Sequence, residues 1–216
     1  MGEAFSYGWK KFQEYMGPIL IAMVIFFVVI LVVNLIGSLF VGGMSSITDP
    51  DDFGIGAFFS FGYLFFSLLG ALVSLLVQAA VVRGALEITK GERIDMNTFL
   101  SMDNLGQIVL ASIMLAIGTA IGFVLCVIPG LILVFFSQFT YQFIIDKGLP
   151  AFDAIKASFD LVNKNLGAVV GLFFASILAF IVGAILCGIG LIVAIPVTII
   201  ASAYAYRRLS GQPVAP

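Results

Sequence analysis

Apolar residues occupy this chain mostly in unbroken runs, not in the spacing of a half-buried helix or strand. Residues 18–41, 57–82, 107–127, 130–145, 168–187 and 191–206 are each nearly continuous in Leu, Ile, Val, Phe, Ala and Gly. About 20 residues of helix cross the roughly 30 Å of a bilayer's hydrocarbon. Backbone groups in lipid have no water to bond, so helices are the expected spanning elements. Six spans follow. The fourth and sixth are short, and each comes after a compact junction, Val127-Ile128-Pro129-Gly130 and Gly188-Ile189-Gly190. The last four spans therefore read as two tight hairpins, and Pro196 predicts a kink in the sixth span.

Two stretches outside these runs have helical periodicity. Phe5, Trp9, Phe12 and Met16 recur at intervals of three and four, as do Phe152, Ile155, Phe159, Val162 and Leu166. Both predict one-faced helices. The opposite faces carry Lys10, Gln13 and Glu14 in one, and Asp153, Lys156, Asp160 and Lys164 in the other, with Pro150 suited to the first helical turn. Such helices lie in the headgroup layer or cap a bundle from below. A third, shorter and less regular, is expected over residues 95–104, with Phe99 and Met102.

The two patterns combine into a repeat. An offset of 61 residues places Asn104-Leu105-Gly106 on Asn165-Leu166-Gly167, Val109 on Val170, Gly122 on Gly183, Leu125 on Leu186, Cys126 on Cys187 and Ile128 on Ile189. An offset of 150 places Ala4 on Ala154, Trp9 on Phe159 and Gly17 on Gly167. The expected fold is an all-α membrane protein of six transmembrane helices. It forms a single integral membrane domain over residues 1–216, built from three same-orientation repeats at about 3–87, 95–147 and 150–208. Each repeat is a short cytoplasmic amphipathic helix followed by a transmembrane hairpin, and copies of one orientation are related by an axis along the membrane normal.

Charge then fixes the expected sidedness. Lys10 and Lys11 precede span one; Arg83, Lys90 and Arg93 separate spans two and three; Lys147, Lys156 and Lys164 separate four and five; Arg207 and Arg208 follow span six. The other connections, including residues 44–56 with Asp49, Asp51 and Asp52, hold no basic residue. Basic residues favour the cytoplasmic side, so both termini are expected in the cytoplasm of a cell that carries the chain in its plasma membrane. A label at Asp51 is accordingly expected outside. Residues 1–17 are aromatic and mixed in charge, and the run that follows is too long for a signal-peptide core, so span one is expected to remain.

Composition narrows the chemistry. Charged residues make up 10% of the 216 residues and hydrophobic ones 62%, against about 25% charged in a soluble domain. Ten Lys and Arg against twelve Asp and Glu leave no basic face for nucleic acid. The spans as drawn contain no Asp, Glu, Lys, Arg or His, which removes the usual marks of proton relays and ion coordination. With no histidine there is no imidazole base for a Ser or Cys nucleophile and no His metal ligand. No catalytic residue, cofactor or metal is expected. Cys126 and Cys187 read either as small residues in helix contacts beside Gly118 and Gly122, or Ala179 and Gly183, or as a disulfide across the outer face. Among Asn34, Gln78, Gln107, Gln138 and Gln142, the pair Gln138 and Gln142, one turn apart, are the candidate polar groups of a cavity; the alternative is bonding to a neighbouring helix. Thr48-Asp49-Pro50-Asp51 reads as a solvated turn, with a weak divalent-cation site on the acidic patch Asp49 to Asp52 as the alternative.

The stretch Gly148-Leu-Pro-Ala-Phe-Asp-Ala-Ile-Lys-Ala-Ser-Phe-Asp-Leu-Val-Asn-Lys-Asn-Leu-Gly167, with the ending Tyr204-Ala-Tyr-Arg-Arg-Leu-Ser-Gly211, resembles a broad group of uncharacterised bacterial integral membrane proteins. These include the membrane domain fused to some glycerophosphodiester phosphodiesterases and actinobacterial proline/glycine-rich membrane proteins. These 216 residues include no phosphodiesterase domain, and the resemblance assigns no functional residue. The expected function is that of a non-enzymatic scaffold or accessory subunit that contacts membrane lipids and other membrane proteins. Its candidate lipid or interface residues are Trp9, Lys10, Lys11, Phe12, Lys156, Phe159 and Lys164. A permease or flippase for an apolar or amphiphilic solute is the alternative, and it would need a polar-lined cavity.

Overall fold

The computed structural model describes residues 2–45, 53–91, 103–185 and 189–215, with backbone alone at 39–45, 53–63 and 189. The expected helix over 95–104 falls, up to Met102, outside the described residues, as do Asp49, Asp51, Asp52 and Cys187.

Continuous apolar sequence gives long helices, and glycines, polar turns and charged ends divide them. In chain order these are α1 (Gly2–Glu14), α2 (Met16–Ser45), α3 (Phe53–Lys90), α4 (Leu105–Leu125), α5 (Val127–Phe136), α6 (Thr140–Lys147), α7 (Ala151–Lys164), α8 (Leu166–Ile185) and α9 (Ile189–Leu209). Among the described residues six segments are long and apolar enough to cross a membrane: Met16–Ser38, Leu64–Lys90, Leu105–Leu125, Val127–Lys147, Leu166–Ile185 and Gly190–Leu209. The chain is a multi-pass, all-helical membrane protein. Many large side chains on these segments are exposed, Phe27, Phe65, Val124 and Phe174 among them, as lipid contact requires. The backbone divides into two compact units, Leu20–Val77 and a larger one of Met1–Ile19 with Gln78–Pro216.

In the unit Leu20–Val77, α2 and α3 pack through glycines. A Cβ on Gly37 would lie 3.4 Å from Phe66 Cβ, and one on Gly70 would lie 4.0 Å from Val33 Cγ1. Asn34 donates to Ile30 O at 2.8 Å within its own helix.

In the larger unit the two expected hairpins form, and each closes on a pair of glycines. A Cβ on Gly122 would sit 2.8 Å from Gly130 N, and one on Gly190 would sit 2.7 Å from Gly183 Cα. Cα-to-Cα approach of this kind excludes any side chain. The first hairpin turns at the single extended residue Cys126, so Val127-Ile128-Pro129-Gly130, expected as a junction, is already helix. In span six, α9 continues through Pro196. An interruption falls in span four, between α5 and α6.

Gly17, Gly106 and Gly167, which the offsets of 61 and 150 superpose, stand in open space: a Cβ on any of them would meet nothing within 4 Å. Alanine at these helical sites costs no packing and restricts the unfolded chain. Each substitution is expected to stabilise the fold by about 0.4–1 kcal/mol, read as a raised Tm in mild detergent.

The amphipathic helices turn their small residues inward. On α7, Ala151, Ala154, Ser158, Leu161 and Val162 are buried, while Phe152 is 55% exposed. Phe159 is half-buried and stacks on Phe136 at 5.2 Å between centroids. On α1, Ala4, Gly8, Lys11 and Phe12 are buried, and Trp9 is 50% exposed. The expected stripe of large residues is therefore divided: Phe12 and Phe159 face the bundle, Trp9 and Phe152 face away. Small residues allow closer helix approach, and Gly8 lies directly on α9, where a Cβ would meet Val197 O at 2.7 Å.

Candidate functional site

The polar groups of span four gather at its interruption. Residues 131–147 contain neither proline nor glycine, and a side chain enters the hydrogen-bond ladder at the break, a recognised cause of helix interruption. That side chain is Ser158 of α7. Its hydroxyl donates to Phe136 O at 2.7 Å and accepts from Phe139 N at 3.1 Å. Gln138 donates to Phe135 O at 2.9 Å. Gln142, buried, meets Ser202 Oγ on α9 at 3.2 Å. With its carbonyl turned to Ser202, its amide donates to the carbonyls of Gln138 and Phe139, both at 3.2 Å. Tyr141 OH and Ser112 Oγ of α4 lie 2.9 Å apart. The two candidate cavity residues thus lie together, each engaged with backbone or a neighbouring helix.

A second polar group forms where α3, α6 and α9 end. Asp146 Oδ2 accepts from Tyr206 OH at 3.1 Å and from Gln212 Nε2 at 2.7 Å. Its Oδ1 lies 3.6 Å from Lys90 Nζ and 3.9 Å from Arg207 Nη1. Lys90 also faces Glu87 at 3.8 Å. The Asp146 and Arg207 side chains are 7% and 9% exposed, so this is a buried ion pair held by added hydrogen bonds. Such a pair offsets its desolvation only when those bonds are present. Arg207 Nε and Nη2 both donate to Pro213 O, at 3.0 and 2.7 Å, and Ala215 N donates to Thr89 O at 3.0 Å. Residues 212–215 thereby tie α9 back to α3. Lys90 and Arg207 also sit in the last turns of their helices, where the helix dipole favours cations. Two carboxylates against two cations leave the group neutral, which suits a structural clasp better than an anion site.

Past these ends the chain turns on left-handed glycines: Gly91, Gly148 and Gly211 have φ of 82°, 63° and 76°. Gly91 is doubly constrained, since a Cβ there would also meet Ala215 Cβ at 2.8 Å. Arg83, earlier on α3, donates to Asp103 O.

Asp146 is inconspicuous in the sequence because it stands at the exit of an apolar run. One signal does point to it: the offset of 61 that aligns the hairpins also places Asp146 on Arg207, giving opposite charges at equivalent helix ends. Ser158 gives no signal apart from interrupting an otherwise apolar and small face.

Of the candidate interface residues, Lys10 and Trp9 are exposed on α1, and Lys156 lies 4.3 Å over the Phe152 ring on the outer side of α7. Lys164 pairs with Asp160 at 3.2 Å in the open. Lys11 is placed differently. It is 7% exposed and pairs with Glu14 at 2.9 Å, near the rings of Tyr7 and Tyr15. Phe12 is buried as well. Both side chains are thus covered by protein, unlike those of Trp9 and Lys10.

Tyr7 stacks on Tyr204 of α9 at 4.7 Å between centroids. Burial, with Glu14 adding to it, pushes its phenol from 10.0 up to about 12. Below pH 10 the phenol is neutral in both folded and unfolded chains, and this site does not make stability depend on pH. Between pH 10 and 12 the unfolded chain ionises first, so stability is lost as pH rises. The difference in 295 nm absorbance titration between the protein and Tyr7→Phe is expected to have its midpoint near 12, and a midpoint at 10 would show the ring to be solvated.

A crevice of about 140 Å³ beside α1 is lined by Glu3, Ala4, Tyr204, Ala205, Arg208 and Leu209; sites for drug-sized ligands run to roughly 300–1,000 Å³. Among the described residues no three of Cys, Asp and Glu converge as metal ligands would. No family model matches the sequence, and no solved structure matches it. Over 152 residues, 70% of this chain, it is 38% identical to uncharacterized proteins of Mycobacterium tuberculosis and Mycobacterium bovis. The aligned region is 46% of each of those proteins, so the chain spans about half the length of the curated relatives it matches.

Proposed function

We propose that the chain is a non-enzymatic scaffold or accessory subunit of the cytoplasmic membrane, and that it contacts lipid through the outer faces of α1 and α7. The observation that carries this reading is the division of each amphipathic helix into two apolar sides. Small residues seat the helix on the bundle, and Trp9 with Lys10, or Phe152 with Lys156, face outward. An aromatic ring beside a lysine suits the headgroup layer, where the ring meets acyl chain and the ammonium meets phosphate. The distribution of basic residues supports placing both termini and both helices on the cytoplasmic side.

Each lysine near an anionic surface contributes about 1 kcal/mol, less as salt rises. Replacing Lys10, Lys156 and Lys164 with glutamine is expected to lower the anionic lipid that co-purifies several-fold, with Tm unchanged. Trp9→Asp and Phe152→Asp are expected to do the same. Phe159→Asp would test folding instead, because that ring stacks on Phe136. Unchanged lipid content in both sets would exclude the interfacial role. Sidedness has its own test. In a Cys187→Ser chain, Cys126, exposed at the turn between α4 and α5, is expected to react with an impermeant maleimide in intact cells. A cysteine replacing Lys147 is expected to react only after permeabilisation.

The permease reading stands second. Discontinuous helices recur in transporters where substrates bind, and span four is discontinuous. The reading further needs space at Gln138 and Gln142, of which Gln138 bonds Phe135 O through its amide nitrogen and Gln142 meets Ser202.

A further inference from the structure

Three observations meet at the interruption of span four. First, two carbonyls that a continuous helix would satisfy from the backbone are satisfied by side chains. Phe135 O would receive Phe139 N and instead receives Gln138 Nε2; Phe136 O would receive Thr140 N and instead receives Ser158 Oγ. The two displaced amides bond elsewhere, Phe139 N to Ser158 Oγ and Thr140 N to Ser137 O at 3.0 Å.

Second, the Thr140 hydroxyl is fully buried and has no partner. Hydroxyls on apolar helices of this protein bond the carbonyl four residues back, as Ser74, Ser112, Ser176 and Thr198 do, or three back, as Ser38, Ser67 and Thr89 do; three back from Thr140 is Ser137 O, which already accepts Thr140 N. Four back from Thr140 is Phe136 O, the atom that Ser158 holds. An orphaned buried hydroxyl costs about 1–3 kcal/mol.

Third, the same crossing occurs again without the serine. The offset of 61 carries Phe136 and Thr140 onto Val197 and Ala201, and the offset of 150 carries Gly8 onto Ser158. Gly8 lies against Val197 O and Ala201 N, as Ser158 lies against Phe136 O and Phe139 N. Where glycine stands, no hydroxyl enters the ladder, and α9 runs whole through the crossing.

We propose that residues 137–139 form a two-state hinge controlled by the Ser158 hydroxyl. In the broken state Ser158 and Gln138 hold the carbonyls, and Thr140 Oγ1 is unpaired. In the continuous state Phe139 N and Thr140 N return to Phe135 O and Phe136 O, the Thr140 hydroxyl gains Phe136 O, and Ser158 and Gln138 are released. The broken state holds four hydrogen bonds here and the continuous state three, and each leaves one fully buried hydroxyl without a partner, Thr140 in the first and Ser158 in the second, so the two are close enough in bonding to make a bistable element. The moving part is α6, which carries Tyr141 against Ser112, Gln142 against Ser202 and Asp146 in its clasp. Straightening span four therefore shifts the group that ties α3, α6 and α9.

The test is NMR of the full chain, isotope-labelled, in nanodiscs. The native protein is expected to show relaxation dispersion at the amides of residues 137–140. Ser158→Ala is expected to remove the dispersion, move the Phe139 and Thr140 Cα shifts to helical values and slow their amide exchange about tenfold. Thr140→Val, close to isosteric, is expected to remove the dispersion while keeping the broken-state shifts. A native protein without dispersion, a Ser158→Ala chain whose break persists with faster amide exchange, or a Thr140→Val chain that still exchanges between the states would overturn the hinge.

Discussion

Asp146→Ala is expected to destabilise the protein by about 3–5 kcal/mol, the cost of removing one partner from a buried ion pair. Alanine leaves Arg207 with a buried positive charge and takes the acceptor from both Tyr206 OH and Gln212 Nε2. Lys90, 31% exposed along its side chain, can turn to Glu87 and water, so the larger part of the loss falls on Arg207 and the tyrosine. Asp146→Asn is expected to lose less, since an amide oxygen still accepts while the charge is gone. The measurement is unfolding of the detergent-solubilised protein, followed by tryptophan fluorescence from Trp9, the single tryptophan. Equal Tm values for the protein and Asp146→Ala would show that the clasp is an incidental surface pair.

That clasp marks the edge of what the sequence makes legible. The spans are legible because a bilayer demands about 20 apolar residues at each crossing, and the runs 107–127 and 168–187 fall within a few residues of α4 and α8. The glycines at the hairpin crossings are legible too: the offset that sets Gly122 on Gly183 pairs two residues that both sit at a closest approach. Which side of an amphipathic helix packs inward is not legible. Sequence periodicity weighs Phe152 and Trp9 as the most hydrophobic positions, whereas packing against another helix selects Ala154 and Gly8, and lipid accepts the large rings. Lys11 departs from its expected place for a related reason, since its stem is apolar enough to be buried once Glu14 answers the charge. The break in span four is hidden because its cause lies on another helix, 19 residues beyond Phe139.

Gly8 separates the effect of helix crossing from helix propensity. On propensity alone, alanine at the middle of α1 stabilises relative to glycine by up to about 1 kcal/mol, and serine helps less. The crossing reverses this. A Cβ at Gly8 meets the backbone oxygen of Val197 at 2.7 Å and Ala201 N at 3.4 Å, and backbone cannot rotate aside as a side chain can. Gly8→Ala is expected to cost about 1–3 kcal/mol, the usual range for overpacking a fitted contact. Gly8→Ser meets the same obstruction but brings a hydroxyl to the position from which Ser158 donates to Phe136 O, and donation to Val197 O offsets part of the cost. The expected order of stability is therefore glycine, then serine, then alanine, with Tyr7 following α1 as it lifts away from Tyr204. Thermal unfolding of the three chains gives the order, and the Tyr7 titration near pH 12, falling back toward 10 in Gly8→Ala, reports the detachment. Alanine more stable than serine would mean that α1 tolerates displacement freely and that the crossing does not hold it.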